Sequence, residues 1–161
     1  MNNLIPCSSI YCLRASEVLL LRRRKPPFVG QWVAPGGKIN HSESPYEAAH
    51  RELQEETGLC ALDLTLRGII VETSPIPDWQ WLIFYYVTMK FDGKVFKESP
   101  EGELAWWKMN KICDLNVPDA DRLFTTPILN LDSPVYQAHF IYDKKKRLTD
   151  FVEHTSIINN S

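Results

Sequence analysis

The sequence predicts a single α/β domain built on a mixed β-sheet. Three observations carry this. The 161 residues suit one domain with a sizeable core. Apolar residues make up 44% of the chain and charged residues 24%, ordinary for a globular protein. Apolar strand patterns alternate with helical ones, but without the regular rhythm of a parallel βαβ protein.

The elements follow in order. Ser8–Leu13 and Val18–Leu21 read as strands, the second as one apolar run. The basic stretch Arg22-Arg23-Arg24-Lys25-Pro26-Pro27 then leaves as a loop. Between Trp32 and Ile39, Pro35-Gly36-Gly37 predicts a tight backbone turn. Ser44-Pro45-Tyr46-Glu47 has the residues of a helix start: a capping serine, proline in the first turn and a capping-box glutamate. Gly58 suits the stop, giving a helix over Pro45–Thr57. Leu64–Thr73, Trp81–Phe91 and Leu104–Lys108 read as strands. Asn110–Leu115 predicts a short helix, and Asp119 is placed to cap another through Leu123–Leu129. Gln137–Tyr142 and Arg147–Glu153 flank Asp143-Lys144-Lys145-Lys146 as a C-terminal hairpin.

Bulk chemistry narrows the function. A net charge of -2 argues against a broad nucleic-acid-binding face, though not against small phosphate ligands. Cys7, Cys12, Cys60 and Cys113 form no CxxC pair, so reduced thiols are expected. The N-terminus lacks the charge and apolar run of a signal peptide, and no apolar stretch approaches the ~20 residues of a membrane span. A cytoplasmic location, with no membrane partner, is the expectation.

The helix holds the sharpest signal. Glu52, Glu55 and Glu56 stand at i, i+3 and i+4, so three carboxylates share one helical face. Their mutual repulsion favours nothing in local helix stability. A divalent metal resolves it, and hard oxygen ligands select Mg²⁺ or Mn²⁺ over zinc. The competing reading is an exposed acidic face.

The spacing decides between them. Gly37, five residues, Glu43, seven residues, then Arg51-Glu52-Leu53-Gln54-Glu55-Glu56-Thr57-Gly58-Leu59 resembles the Nudix box GX5EX7REUXEEXGU at every position, U being apolar. Chance would give seven such matches on the order of once in 10⁸ registers at average composition. The resemblance implies the Nudix fold, a mixed β-sheet sandwiched between α-helices, over a single domain spanning 1–161 with its box at 37–59. It implies hydrolysis of nucleoside diphosphates linked to another group, with Mg²⁺ as cofactor and Mn²⁺ as substitute. It further implies metal ligands at Glu52, Glu55, Glu56 and the Gly36 carbonyl. Gly37, Glu43, Arg51 and Gly58 would shape the box, with Arg51 pairing rather than reacting.

Similarity beyond the box points to the MutT-type branch, which hydrolyses oxidised purine nucleoside triphosphates such as 8-oxo-dGTP. It lies in LLLRRRKPPFVGQWVAPGGKI, KESPEGELAWW and VYQAHFIYDKKKRLTDFVE. Arg22 or Arg23, with Lys38, would meet the phosphate tail, the guanidinium fork matching phosphate oxygens. Glu98 or Glu101 would add a catalytic carboxylate beside Glu55. Trp32, Asp119 and Asp121 would meet the base. The usual Trp-Pro-Asp-Asp is here Val117-Pro118-Asp119-Ala120, and Val33 stands where an asparagine follows the tryptophan. Trp79, Trp81, Phe84, Tyr85 and Tyr86 alternate across a strand, one set for the core and the other for a pocket. Two alternatives accompany this reading. Pro75 and Pro77 resemble a cue for ADP-sugar hydrolysis, and a non-catalytic nucleotide-binding module would share the fold. The expected partner is a small nucleotide, bound by a monomer or a homodimer.

Overall fold

A computed structural model describes residues 3–154. Its centre is a nine-stranded mixed sheet. β1 (Ile5–Arg14) lies parallel to β7 (Gln80–Thr88) and antiparallel to β2 (Glu17–Arg23). Beyond β7, β6 (Thr65–Thr73) pairs antiparallel with it, and β10 (Tyr136–Tyr142) runs parallel to β6. β11 (Leu148–His154) closes the hairpin at that edge. On the other side β2 carries β3 (Trp32–Val33) and β9 (Gly102–Lys108), while β4 (Gly36–Lys38) pairs with β1.

Period-two alternation feeds both faces of this sheet. Ile10, Cys12 and Leu19 join Ala49 and Leu53 of helix α1 (Pro45–Thr57) in one buried cluster. Tyr11, Leu13, Val18 and Leu20 join Phe124 and Ile128 of α2 (Asp119–Leu129) in the other. The sheet therefore lies between the two helices, as expected. A strand buried on both faces needs a continuous apolar run, and Val18–Leu21 supplies one.

Helix α1 has the predicted bounds. The Ser44 side chain accepts from the Glu47 N–H, and Glu47 accepts from the Ser44 N–H at 2.8 Å. Gly58 ends the helix at φ 80° and donates to the Gln54 carbonyl. The Thr57 hydroxyl donates to the Leu53 carbonyl and accepts from the Leu59 N–H. Those bonds turn the chain into β5 (Leu59–Ala61), which pairs with β8 (Phe91–Gly93).

Three local expectations are corrected. Pro35-Gly36-Gly37 makes no left-handed turn: both glycines lie in β4. Their lack of a Cβ matters for close approach instead. A Cβ on Gly36 would collide with the Ser8 carbonyl, and one on Gly37 with the Glu52 carboxylate. The strand expected over Trp81–Phe91 breaks after Thr88. There the threonine hydroxyl donates to the Lys90 carbonyl at 2.8 Å and accepts from the Lys90 N–H, a local turn that competes with the ladder. Asp119 is not a cap, because α2 begins at Asp119 itself and its N-cap is Pro118.

Replacing Ser44 with alanine leaves the α1 start without its acceptor and is expected to cost about 1 kcal/mol, read by urea denaturation. An unchanged midpoint would contradict this account of the helix start.

Candidate active site

The acidic helix does not stand alone. Arg51 on α1 holds Glu43 through two parallel bonds, at 2.7 and 2.9 Å. The same guanidinium donates to Glu52 at 2.7 Å, to Glu55 at 3.1 Å and to the Lys38 carbonyl at 3.1 Å. Arg51 thereby fastens the loop before α1 and strand β4 to the helix. With the Asn40 N–H adding to the Arg51 bonds, the Glu43 carboxyl is held down at about 2. Its partner's guanidinium is correspondingly held charged.

Glu56 turns inward. Its carboxylate accepts the Gly36 N–H at 2.9 Å and is buried. Burial pushes its pKa up to about 8, the Gly36 amide opposes this, and the charges of Glu52 and Glu101 add to it. Glu52 is likewise raised by burial and pulled back by Arg51. Glu55 is 59% exposed and faces Arg51. Among the described residues no three acidic, histidine or cysteine side chains are gathered closely enough to hold a metal.

Glu52 and Glu56 line a cleft of about 620 Å³. The size suits a nucleotide-sized ligand. Gly36, Gly37, Lys38, Arg23 and Glu101 share this cleft with them. Aromatic surface comes from Phe28, Trp81 and Tyr85, and Asp121 also lines the cleft. A divalent cation fits the donors present. Glu56 is a buried carboxylate whose one hydrogen bond among the described residues is the Gly36 amide, and the neighbouring Glu52 is held by Arg51 through one oxygen only.

The cleft is lined by one residue of each of two pairs left open by the sequence. Alternation along β2 sends Arg23 to the cleft and Arg22 to the opposite face, where Arg22 pairs with Glu103 at 3.4 Å and lies over the Trp32 ring. Arg23 donates to the Pro27 carbonyl at 2.7 Å, which fixes it against the cleft wall. Glu101 lines the cleft and pairs with Lys25 at 3.1 Å. Glu98 is 73% exposed and reaches Arg24 instead.

Two residues expected to meet the base do not line this cleft. Trp32 is buried in the core, edge-to-face on Trp107 at 5.2 Å, and its neighbour Val33 lines the cleft. Adjacent strand residues face opposite ways, so only one of the two can reach a ligand there. Asp119 borders a separate cavity of about 390 Å³, beyond Pro26, Pro27 and Phe28. The strand aromatics divide as expected: Trp81 and Tyr85 line the cleft, whereas Phe84 and Tyr86 pack against the α1 cluster.

One cleft residue was missed. Glu72 of β6 is 4% exposed and lines the same cavity, with its Oε1 accepting from the Tyr142 hydroxyl at 3.3 Å. Burial raises its pKa to about 7. Glu72 follows Ile70 on the same face of β6.

The comparisons with known proteins agree with this fold. The NUDIX domain model matches residues 5–126, and the chain belongs to the Nudix family. The uncharacterized Nudix hydrolase YvcI of Bacillus subtilis is 35% identical over 108 residues, 65% of this chain and 66% of that one. A putative 8-oxo-dGTP diphosphatase of Mycobacterium tuberculosis is 37% identical over 123 residues, 76% of this chain and 84% of its own. An ADP-ribose pyrophosphatase of Methanocaldococcus jannaschii is 26% identical over 97 residues, 57% of that protein. The matched region spans 31% of an 8-oxo-dGDP phosphatase of Danio rerio and 41% of another mycobacterial relative. Among solved structures, a MutT protein of Bacillus halodurans superposes with a TM-score of 0.83 at 29% identity, covering 93% of this chain and 97% of that one. No helix among the described residues is long and apolar enough to cross a membrane.

The raised carboxyls give the metal-free protein a pH signature. Each contributes stability that is complete below the ordinary carboxyl range and lost as pH rises through its raised value. For Glu72 and Glu56 those values are about 7 and about 8. In chelator, the melting temperature is expected to fall between about pH 5 and about pH 8, and Glu56→Gln to flatten the upper part of that fall. A melting temperature that rises over this window contradicts the assignment.

Proposed function

We propose that this chain is a Mg²⁺-dependent pyrophosphohydrolase of the MutT type, cleaving purine nucleoside triphosphates, 8-oxo-dGTP among them, to monophosphate and pyrophosphate. Mn²⁺ serves in place of Mg²⁺. One observation carries the reading: the buried carboxylate of Glu56 and the half-buried one of Glu52 share a cleft with Arg23, Lys38 and an aromatic wall. That combination suits a ligand with a polyanionic tail and a planar head. Similarity to the mycobacterial 8-oxo-dGTP diphosphatase and to the Bacillus halodurans MutT protein supports the substrate class.

Roles follow from position. Glu52, Glu56 and the Gly36 carbonyl would hold the metal, with Glu55, now paired with Arg51 at 3.1 Å, as a further ligand. When bound there, a divalent ion would supply charge neutralisation for a diphosphate. Arg23 and Lys38 hold the phosphate tail. Glu101, on the cleft wall, is placed to orient the attacking water or take its proton, with Glu55 as the second candidate. Glu43 and Arg51 keep the helix and β4 in register and do not react.

A second reading keeps the chemistry and changes the substrate. The relative named an ADP-ribose pyrophosphatase favours a nucleoside diphosphate sugar. Pro75 and Pro77, in the loop between β6 and β7, fit the same alternative.

The test is product analysis with Mg²⁺ over dGTP, 8-oxo-dGTP, 2-oxo-dATP and ADP-ribose. Pyrophosphate release with the highest kcat/KM on an oxidised purine triphosphate is the expected result. Preference for ADP-ribose moves the protein to the second reading. Glu52→Gln and Glu56→Gln are each expected to lower kcat by more than ~100-fold, beyond the loss typical of an outer-shell partner, with the fold retained. Activity that survives both substitutions refutes the metal assignment.

A further inference from the structure

The geometry points to a second copy of this chain on the face of the sheet that α1 leaves open, in a homodimer whose two-fold axis runs along β10. This stands apart from the hydrolase reading, since none of the residues involved lines the cleft.

On its own side of the sheet, α1 packs chiefly on β1, β4 and β5, and reaches β7 through Tyr46, edge-to-face on Tyr86 at 6.0 Å. The other half of that side has no helix among the described residues, because α2 lies on the opposite face. Strand register lays a row of side chains across it. Leu82 of β7 stands beside Val71 of β6, Val71 beside His139 of β10, and His139 beside Val152 of β11. Ile69 and Ile141 flank this row. Leu82, Val71, Ile69 and Ile141 belong to neither buried cluster, and Val152 is 46% exposed. Alternation along the same strands sends Ile70, Ala138 and Phe140 to the α2 core. β6 and β10 are therefore apolar on both faces, and they pair in parallel, an arrangement normally covered on both sides.

The patch suits its own copy. A two-fold axis sets each residue on it against the same residue of the other subunit, so a fixed charge there would repel itself. Along β10 the axial residues are Gln137, His139 and Ile141, none of them a fixed charge. β6 then lies over the partner's β11, and the reverse. Val152 meets Val71 of the partner subunit. Asp150, the one fixed charge that β6, β10 and β11 turn to this face, meets Thr73 of the partner subunit. An axis across the strands is excluded, because it would set the partner's β1 where α1 already stands over β1. With the axis along β10, each α1 instead closes beside the partner's β11, an edge strand with no outer neighbour among the described residues.

Size sets the strength. Four strands about 4.8 Å apart and about 20 Å long give the strip from β7 to β11 a footprint of about 400 Å². Two such faces bury about 800 Å² before the flanks of α1 are added, the low end of specific interfaces. The dimer is accordingly one that dissociates on dilution.

Sedimentation velocity at about 10 μM and about 1 mM, which brackets the dissociation constants of weak complexes, tests this on the full chain. The wild type is expected to pass from monomer to dimer between them. Gln137→Lys, at an exposed position of β10, sets two ammonium groups face to face and should raise the dissociation constant by more than ~10-fold. Gln137→Glu should do the same, and an equimolar mixture of the two variants should dimerise again. Val152→Lys should weaken the dimer as well, whereas Leu123→Lys, on α2 at the other face, should leave it intact. Unchanged melting temperatures show that each variant folds. A wild type that stays monomeric at about 1 mM, beyond the range of weak specific association, overturns the inference. So does a dimer that Gln137→Lys leaves unchanged, or a mixture of the two charged variants that does not associate.

Discussion

Arg51 ties together parts of the chain that have little other reason to meet. Its bidentate grip on Glu43 fixes the loop before α1, and its bond to the Lys38 carbonyl fixes β4. Its bond to Glu52 aims that carboxylate past Gly37, where only a glycine leaves room. With β4 in place, the Gly36 N–H reaches Glu56 and gives a buried carboxylate its single partner among the described residues. The guanidinium fork suits this because five donors in one plane can serve several acceptors at once. A lysine would offer no such geometry.

The cleft is divided electrostatically. On one side carboxylates stand near Arg23 and Lys38, a mixed-charge surface suited to a cation and a polyphosphate together. On the other, Glu72 and Asp121 sit among tyrosines, where burial favours the neutral acid. Burial raises Glu56 on the first side as it raises Glu72 on the second, so the two sides differ in their neighbouring cations and not in the direction of the shift. The sheet separates these environments from the core through alternation: Arg23 faces the cleft and Arg22 does not, and the same holds for Val33 and Trp32.

Local rules made much of this legible. Ser44, Pro45, Glu47 and Gly58 bracket α1 because caps act within a few residues. Glu43 and Arg51 were readable through their fixed spacing. The rest depended on tertiary placement. Which of Arg22 and Arg23 faces the ligand needs the register of β2 against β9, and the choice between Glu98 and Glu101 needs the path of an exposed loop. Trp32 has an aromatic's affinity for a base pocket, but packing on Trp107 claims it for the core. Glu72 escaped notice because a lone glutamate in a strand carries no motif, and its burial follows only from β10 and β7 lying on either side.

The central claim is that Glu52 and Glu56 hold a divalent cation. Mn²⁺ binding, followed by electron paramagnetic resonance without nucleotide, tests it apart from turnover. The wild type should bind Mn²⁺ competitively with Mg²⁺, and Glu56→Gln should weaken that binding by more than ~10-fold. Equal affinity in the two proteins would contradict the account and return α1 to an acidic face held by Arg51 alone.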